Sequence, residues 1–331
     1  MIASVAFRNF KALRRTHISL TPFNLVIGPN GSGKTSLIEA LLRLRTLSRL
    51  PLSDSASLAV ERPGGPEIEF RFDPPHDGIS AHLGCISDSA CDVLRLNPPN
   101  APGWPSLREA LGGIRSYVLD HHALAQPSRR DQGAVLQSDG GNLAAVLARM
   151  REEEADAFSA CTEEMLRMLP EFEGLELMEH ANDQVEFALR LAEDGVVPAQ
   201  ELSQGMLYLL AVLALSFDPH PGTILCIEEV DRGIHPRTLR EVRDLFYRLS
   251  YPASFGSDRA PVQIITTTHS PYFIDLFRDH PEEVVISHKH GRAAQLSRLS
   301  DRLDLADLIK EGNLGDMWFS GILGGVPEER T

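Results

Sequence analysis

The sequence predicts an α/β fold built on a mixed sheet, and three observations predict it. Phe23–Ile27 is a short apolar run, followed by a glycine-rich loop and then by apolar residues at helical spacing over residues 36–44. Ile224–Ile227 is a second apolar run, and it ends in two carboxylates, Glu228 and Glu229. Residues 263–268 form a third, β-rich run that delivers His269 and is stopped by Pro271. In open parallel sheets, ligands bind outside the carboxyl ends of the strands, and each run places its polar residues at that end.

The glycine-rich loop is the strongest signal. Gly28, Gly33, Lys34 and Thr35 fit the pattern G-x-x-x-x-G-K-[ST] in a strand–loop–helix setting. Through Gly28, Pro29, Asn30, Gly31, Ser32 and Gly33, the backbone can curl so that its N–H groups converge on phosphate oxygens. The helix that opens at Lys34, Thr35 and Ser36 adds positive potential. Lys34 is expected to reach the β- and γ-phosphates and Thr35 to hold Mg²⁺, so the loop predicts ATP or GTP binding. At the second strand end, Glu228 is expected to hold Mg²⁺ and Glu229 to orient or deprotonate the attacking water. At the third, the His269 imidazole can donate to the γ-phosphate or hold the water.

A fourth element precedes the second strand. Leu202, Ser203, Gln204 and Gly205 lead into the apolar stretch 206–217, so Ser203 is a helix N-cap and its exposed amides form another anion site. The order is phosphate loop, serine cap, paired carboxylates, and a histidine 40 residues after Glu229. That order resembles the ABC-type ATPase family. There, the serine element is the signature motif, the carboxylates end the Walker B strand, and the histidine is the H-loop. The opening residues IASVAFRNFKAL and ISLTPFNLVIGPNGSGKTSLIEAL look like the N-terminus of the RecF/SMC/OLD-like branch, whose members are also called AAA family ATPases. EEVDRGIHP resembles that branch's EEPExxLHP, and TTTHSPYFID resembles its THSPxxxD. Three departures stand out. Val230 replaces a proline, Gln204 and Met206 depart from the transporter-type LSGGQ, and the Q-loop glutamine has only candidates in Gln126, Gln132 and Gln137.

The resemblance implies a single P-loop NTPase head over residues 1–331: an N-terminal β and phosphate-loop part (1–75), an inserted helical lobe with strands (about 76–200), and a signature, Walker B and H-loop part (201–331). It further implies ATP and Mg²⁺ as cofactors and an ATP-dependent homodimer in which the signature of one copy closes over the nucleotide of the other. Asp231 is then the D-loop residue at that interface. The 169 residues from Lys34 to Ser203 are too few for a long coiled coil, and the 62 after His269 are too few for an appended nuclease domain. A separately encoded nuclease or effector is therefore expected, in DNA repair, recombination or anti-phage defence. The alternative is the nucleotide-binding subunit of a membrane transporter, and a small-molecule kinase is a third reading.

Composition agrees with a globular chain. Of the 331 residues, 43% are hydrophobic and 24% charged, enough for one large or two modest domains. The longest apolar run, residues 206–215, is half of the roughly 20 residues a spanning helix needs. No charged-then-apolar leader opens the chain, and Cys85, Cys91, Cys161 and Cys226 lack zinc-ligand spacing. Reduced thiols in a cytoplasmic protein, with no membrane partner, are expected.

The net charge of −14 excludes a surface coated throughout by nucleic acid, but the charge is uneven. Residues 1–50 carry eight Lys/Arg against Glu39, and residues 151–200 carry fourteen acids against three arginines. A DNA contact is therefore expected, if anywhere, at Arg8, Lys11, Arg14 and Arg15. Only four of the 32 basic residues are lysine: Lys11, Lys34, Lys289 and Lys310. Strands are expected over 65–73 and 185–191, a loop over 96–105 and a helical lobe over 144–169. Trp318 and Phe319 are read as core, with a partner-docking patch as the alternative, and the pairs His121/His122 and His288/His290 as core or solvated rather than metal-binding.

Overall fold

The computed structural model describes residues 1–50, 64–180, 182–192, 195–291 and 293–324. β1 (Ile2–Phe10) and β2 (Leu13–Ser19) form a hairpin, and β3 (Phe23–Ile27) leads through the glycine-rich loop into α1 (Lys34–Ser48). β4 (Glu67–Phe72), β5 (Ser80–Ser87) and β6 (Ala90–Asn97) continue the antiparallel part, before α2 (Trp104–Gly112) and β7 (Ile114–Tyr117). Next come α3 (His121–Leu124), β8 (Ser128–Arg129), α4 (Leu143–Glu153) and α5 (Ala155–Met168). β9 (Phe172–His180), β10 (Gln184–Leu191), β11 (Gly195–Pro198) and α6 (Gln204–Phe217) follow. The chain ends in β12 (Ile224–Ile227), α7 (Leu239–Ser250), β13 (Gln263–Thr267), α8 (Pro271–Asp275), β14 (Val284–His290), β15 (Ala293–Arg298), α9 (Leu305–Glu311) and α10 (Leu314–Phe319).

Two compact units result. The first comprises residues 1–116, 222–227 and 261–331, and the second residues 117–221 and 228–260. The first unit is organised by an eleven-stranded mixed sheet in the order β6-β5-β4-β1-β2-β15-β14-β3-β13-β12-β7. β3 runs parallel to β14 on one side and to β13 on the other, and β13 runs parallel to β12. Every residue of β3, β12 and β13 is buried, as expected of parallel strands covered on both faces. β4 instead buries alternate residues, Ile68, Phe70 and Phe72, in the manner of a sheet with one wet face. The apolar stripe of α1 joins the same core through Leu37, Ile38, Leu41 and Leu44.

Three buried polar side chains tie the antiparallel and parallel parts together. Gln263 accepts from the Ile2 N–H at 3.0 Å and donates to the carbonyls of Ile2 at 2.9 Å and Thr21 at 3.1 Å. Asn24 donates to the Ile264 carbonyl at 3.2 Å, and its Oδ1 accepts from Arg298 at 2.7 Å. Arg298 also donates to the Ser19 carbonyl. Leaving one such buried group without a partner costs about 1–3 kcal/mol, so the network strongly favours one pairing of β1, β3, β13 and β15.

The second unit packs helices with a small antiparallel sheet in which β10 pairs with β8, β9 and β11. At its centre, α6 buries all nine residues from Leu207 to Leu215. A helix apolar on every side needs neighbours all round, and α3, α4, α5 and α7 supply them. Asp218, buried just past the end of α6, accepts from Arg149 at 3.2 Å and from the His220 N–H at 2.9 Å. Arg259 donates to its carbonyl, and burial holds that guanidinium below its ordinary pKa while Asp218 pulls the other way.

Several sequence expectations need correction. The stretch 144–169 is two helices, because Glu154 leaves the helical region at φ −136°, ψ 55°. The loop expected over 96–105 is shorter, since β6 runs to Asn97 and α2 starts at Trp104. Trp318 is buried, but Phe319 is 80% exposed, since successive helical residues point about 100° apart. Cys85 and Cys91 are joined in a disulfide, not reduced, because the β5–β6 hairpin makes them cross-strand partners. Cys161 and Cys226 are free and buried, and burial pushes the Cys161 thiol up to about 12. Thiol labelling checks this arrangement. No cysteine should react before reduction, Cys85 and Cys91 should label after it, and Cys161 should label only on unfolding. Rapid labelling of Cys161 in the folded chain would contradict its burial.

Candidate nucleotide site

The parallel register brings the carboxyl ends of β3, β12 and β13 to one edge of the sheet in the first unit. At that edge β3 gives way to the loop 28–33. A Cβ on Gly28 would come within 2.6 Å of both the Ser287 carbonyl and Ser32 Oγ, so the loop is wedged directly against β14. Ser287 in turn donates to the Ser32 carbonyl. Pro29 is buried, whereas Asn30 and Gly31 are exposed at the crest. Gly33, in the left-handed region, is the N-cap of α1.

Lys34, 9% exposed, folds back across the loop and donates to the carbonyls of Gly28 at 2.7 Å and Pro29 at 3.2 Å. Ser36 is buried, and Thr35 is exposed on the first turn. That turn holds no acid, so nothing offsets the positive end of the α1 dipole. Ser32 is fully buried, and its Oγ has no hydrogen-bond partner among the described residues. An orphaned hydroxyl, a glycine-rich loop and a helix N-terminus with no acid in its first turn fit a polyphosphate. His269 lies on the same edge. Thr268 Oγ1 accepts from the Ser270 N–H at 3.0 Å, Ser270 caps α8 by accepting from the Phe273 N–H at 3.4 Å, and His269 between them is exposed.

The remaining predicted residues lie in the second unit. Glu228 follows β12, is half-buried, and donates its N–H to the Tyr117 carbonyl at 3.0 Å. Glu229 is exposed and adopts φ 51°, a left-handed conformation that costs a non-glycine residue about 1–3 kcal/mol. Its carbonyl accepts from the Arg232 N–H at 2.9 Å, and its carboxylate lies 3.9 Å from the Arg232 guanidinium.

Ser203 caps α6 by accepting from the Met206 N–H at 3.4 Å. One turn of chain then locks against another. A Cβ on Gly205 would sit 2.3 Å from the Gly233 carbonyl, and one on Gly233 would meet Gln204 at 2.9 Å. Asp231 is half-buried at the start of that turn, and its carbonyl accepts from the Ile234 N–H at 3.1 Å. Gln204 and Gly205 are therefore packed directly against the turn that follows Glu229. Sequence reasoning missed Gly233, although a glycine two residues after Asp231 was a signal for a tight turn. The glutamine candidates are not resolved into a Q-loop: Gln126 donates to the His122 carbonyl, and Gln132 and Gln137 flank Asn142, whose side chain bonds to the backbone of both. Asp120 caps α3, and the Ala123 amide holds its carboxyl below the usual range.

Among the described residues there is no group of three or more His, Cys, Asp or Glu placed to hold a metal ion. The basic N-terminal face is narrower than its net charge suggests. Arg8 pairs with Glu67 at 3.2 Å, and the Lys11 ammonium pairs with Glu39, while Arg14 and Arg15 are exposed. No helix of the described residues is long and apolar enough to cross a membrane.

Comparison with known proteins bears on the family and the fold. Residues 23–275 match the family described as "AAA domain, putative AbiEii toxin, Type IV TA system". The chain is 27% identical to an OLD nuclease of Thermus scotoductus, over 87% of this chain and 64% of that protein. It is 37% identical to the DNA replication and repair protein RecF of Thermomicrobium roseum, over 25% of this chain and 20% of that protein. The chain thus spans less than two thirds of either relative. In fold it is similar to an Smc head bound to the C-terminal winged-helix domain of ScpA, with a TM-score of 0.63, 17% identity, and coverage of 93% of this chain and 99% of that one. An Smc head from Pyrococcus furiosus gives 0.58, with 14% identity and coverage of 93% and 99%. These relatives lend the transporter alternative no support. The match covers well over half the chain and makes this protein a member of that AAA-domain family, with the ABC-type ATPase head of the RecF/SMC/OLD-like branch.

Proposed function

We propose that the chain is an ATP-driven switch: it binds and hydrolyses ATP, and ATP binding draws two copies together. The observation that supports it most is the loop 28–35, with Gly28 wedged against β14 and Lys34 folded across the loop to the carbonyls of Gly28 and Pro29. In this reading Lys34 grips the β- and γ-phosphates, and Thr35 with Glu228 holds Mg²⁺. The ion would neutralise charge that develops on the phosphates. Glu229 orients the attacking water or takes its proton, and His269 holds the γ-phosphate side. Ser203, Gln204 and Gly205 of a second copy cap the terminal phosphate, with Asp231 beside them. Departure of that phosphate removes the bridge, so association follows the nucleotide state through differential contacts.

The printed name of one relative, DNA replication and repair protein RecF, supports a switch that acts on DNA; in this reading it serves repair, recombination or anti-phage defence in the cytoplasm, with a separately encoded nuclease or effector. Arg14 and Arg15 are the best placed to meet a phosphate backbone, because Arg8 and Lys11 already face acids.

Three outcomes are expected. Glu229→Gln should slow turnover by about a hundredfold or more, the scale of removing a general base, and should accumulate an ATP-bound dimer by sedimentation. A mutant that turns over normally and stays monomeric with ATP would end the switch reading. Gly205→Ala should leave nucleotide binding intact and abolish that dimer, because the methyl group cannot fit against the Gly233 carbonyl. If the variant dimerises like wild type, the signature surface is not the interface. Reversing Arg14 and Arg15 to glutamate should weaken binding to duplex DNA and flatten its dependence on salt, with a slope change of roughly one for each DNA phosphate no longer engaged. Unchanged binding would exclude this face.

A further inference from the structure

β14 does more than fill the sheet beside β3. Ile286 is in register with Ile27, so the next residues of β14 run alongside the phosphate loop itself. Ser287 touches the loop at its start, against Gly28, and donates to Ser32. Two residues further on, where a strand returns to the same face, stands Lys289. Its Nζ is 3.3 Å from where a Cβ of Gly31 would be, beside the exposed crest of the loop. The side chain is exposed and makes no ion pair among the described residues, whereas Lys11 faces Glu39 and Lys310 faces Asp307.

This chain uses arginine for all but four of its 32 basic residues, and two of the four lysines stand at one loop. An ammonium is a compact point charge that can enter beside a phosphate oxygen where a planar guanidinium is too broad. The buried Ser32 Oγ, without a partner, belongs to the same loop, which Ser287 ties to the strand that carries Lys289. We infer that Lys289 is a second phosphate-binding lysine: Lys34 holds the polyphosphate of a nucleoside triphosphate from within the loop, and Lys289 holds it from the β14 side across Gly31. The inference rests on the reading of the loop as an ATP site.

Calorimetric titration of the full chain with Mg·ATP, at several salt concentrations, tests both separately. Removing a charge-assisted hydrogen bond should make Lys289→Gln bind Mg·ATP about tenfold more weakly, and Lys289→Glu should bind it more weakly still. The salt dependence of Lys289→Gln should be shallower than that of wild type, since one cation fewer is engaged. Because the side chain is exposed, the melting temperature without nucleotide should not move, and Lys310→Gln should bind as wild type. If Lys34→Ala abolishes binding while Lys289→Gln and Lys289→Glu bind as wild type, this inference is overturned and the loop reading stands. If wild type and Lys34→Ala bind Mg·ATP alike, or neither binds it, the loop reading itself fails and carries this one with it.

Discussion

There is no space for a side chain at Gly28, and much of the first unit can be understood from that one constraint. The loop can approach β14 this closely only because β14 lies next to β3 and parallel to it, so that both strands end at the same level. The two strands are far apart in sequence, so nothing local holds their pairing against slippage. The Asn24–Gln263–Arg298 network fixes β3 against β13 and β15 with buried hydrogen bonds that favour one register, and β15 in turn pairs with β14. A one-residue slip would leave several of them unpaired, at a cost of about 1–3 kcal/mol each. The loop's shape is thus set by groups far from it in sequence, on β1, β13 and β15.

The second unit concentrates its strained backbone in the same kind of place. Glu229 is held left-handed just past the buried strand β12, and Gly205 and Gly233 approach their neighbours more closely than any side chain permits. Strain of this kind persists only when the surroundings over-determine it. Here α6, buried on every side, fixes the position of Gly205, and the Arg232 and Ile234 amides close the turn that carries Asp231. The Ser203 cap is worth only about 1 kcal/mol as a stabilising contact, so the surface is set mainly by the glycine contact and the packing of α6.

Much of this was legible in the sequence, and the reasons divide cleanly. The strands at 23–27, 224–227 and 263–267, the Ser203 cap and the α6 helix are local patterns of apolar spacing and capping, and local patterns survive folding unchanged. The parallel adjacency of β3 and β14 was not legible, because strand order is a property of long-range packing and no spacing encodes it. For the same reason the Cys85–Cys91 bridge was missed: six residues apart is unremarkable until a hairpin makes the two cross-strand partners. The core reading held for Trp318 but not for Phe319, because two adjacent aromatic residues on a short helix cannot both face inward. Glu229's backbone conformation was invisible because its side-chain chemistry alone suggested a functional role.

Charge is the remaining piece. A chain of net −14 would be expected to repel a nucleotide carrying several negative charges, yet its residues 1–50 are basic and its acids gather in residues 151–200. At physiological ionic strength, fields fade over roughly 8 Å, so what a loop attracts is set mainly by the charges immediately around it. At the loop itself stand its own amides, the α1 N-terminus, Lys34 and Lys289, all of one sign. The one acid of α1, Glu39, pairs with both Lys11 and Arg43, which offsets the repulsion it would otherwise exert. The local balance, not the total, sets the affinity of such a site for an anion. In a protein that is acidic overall, two of the four lysines, Lys34 and Lys289, still stand at this one loop.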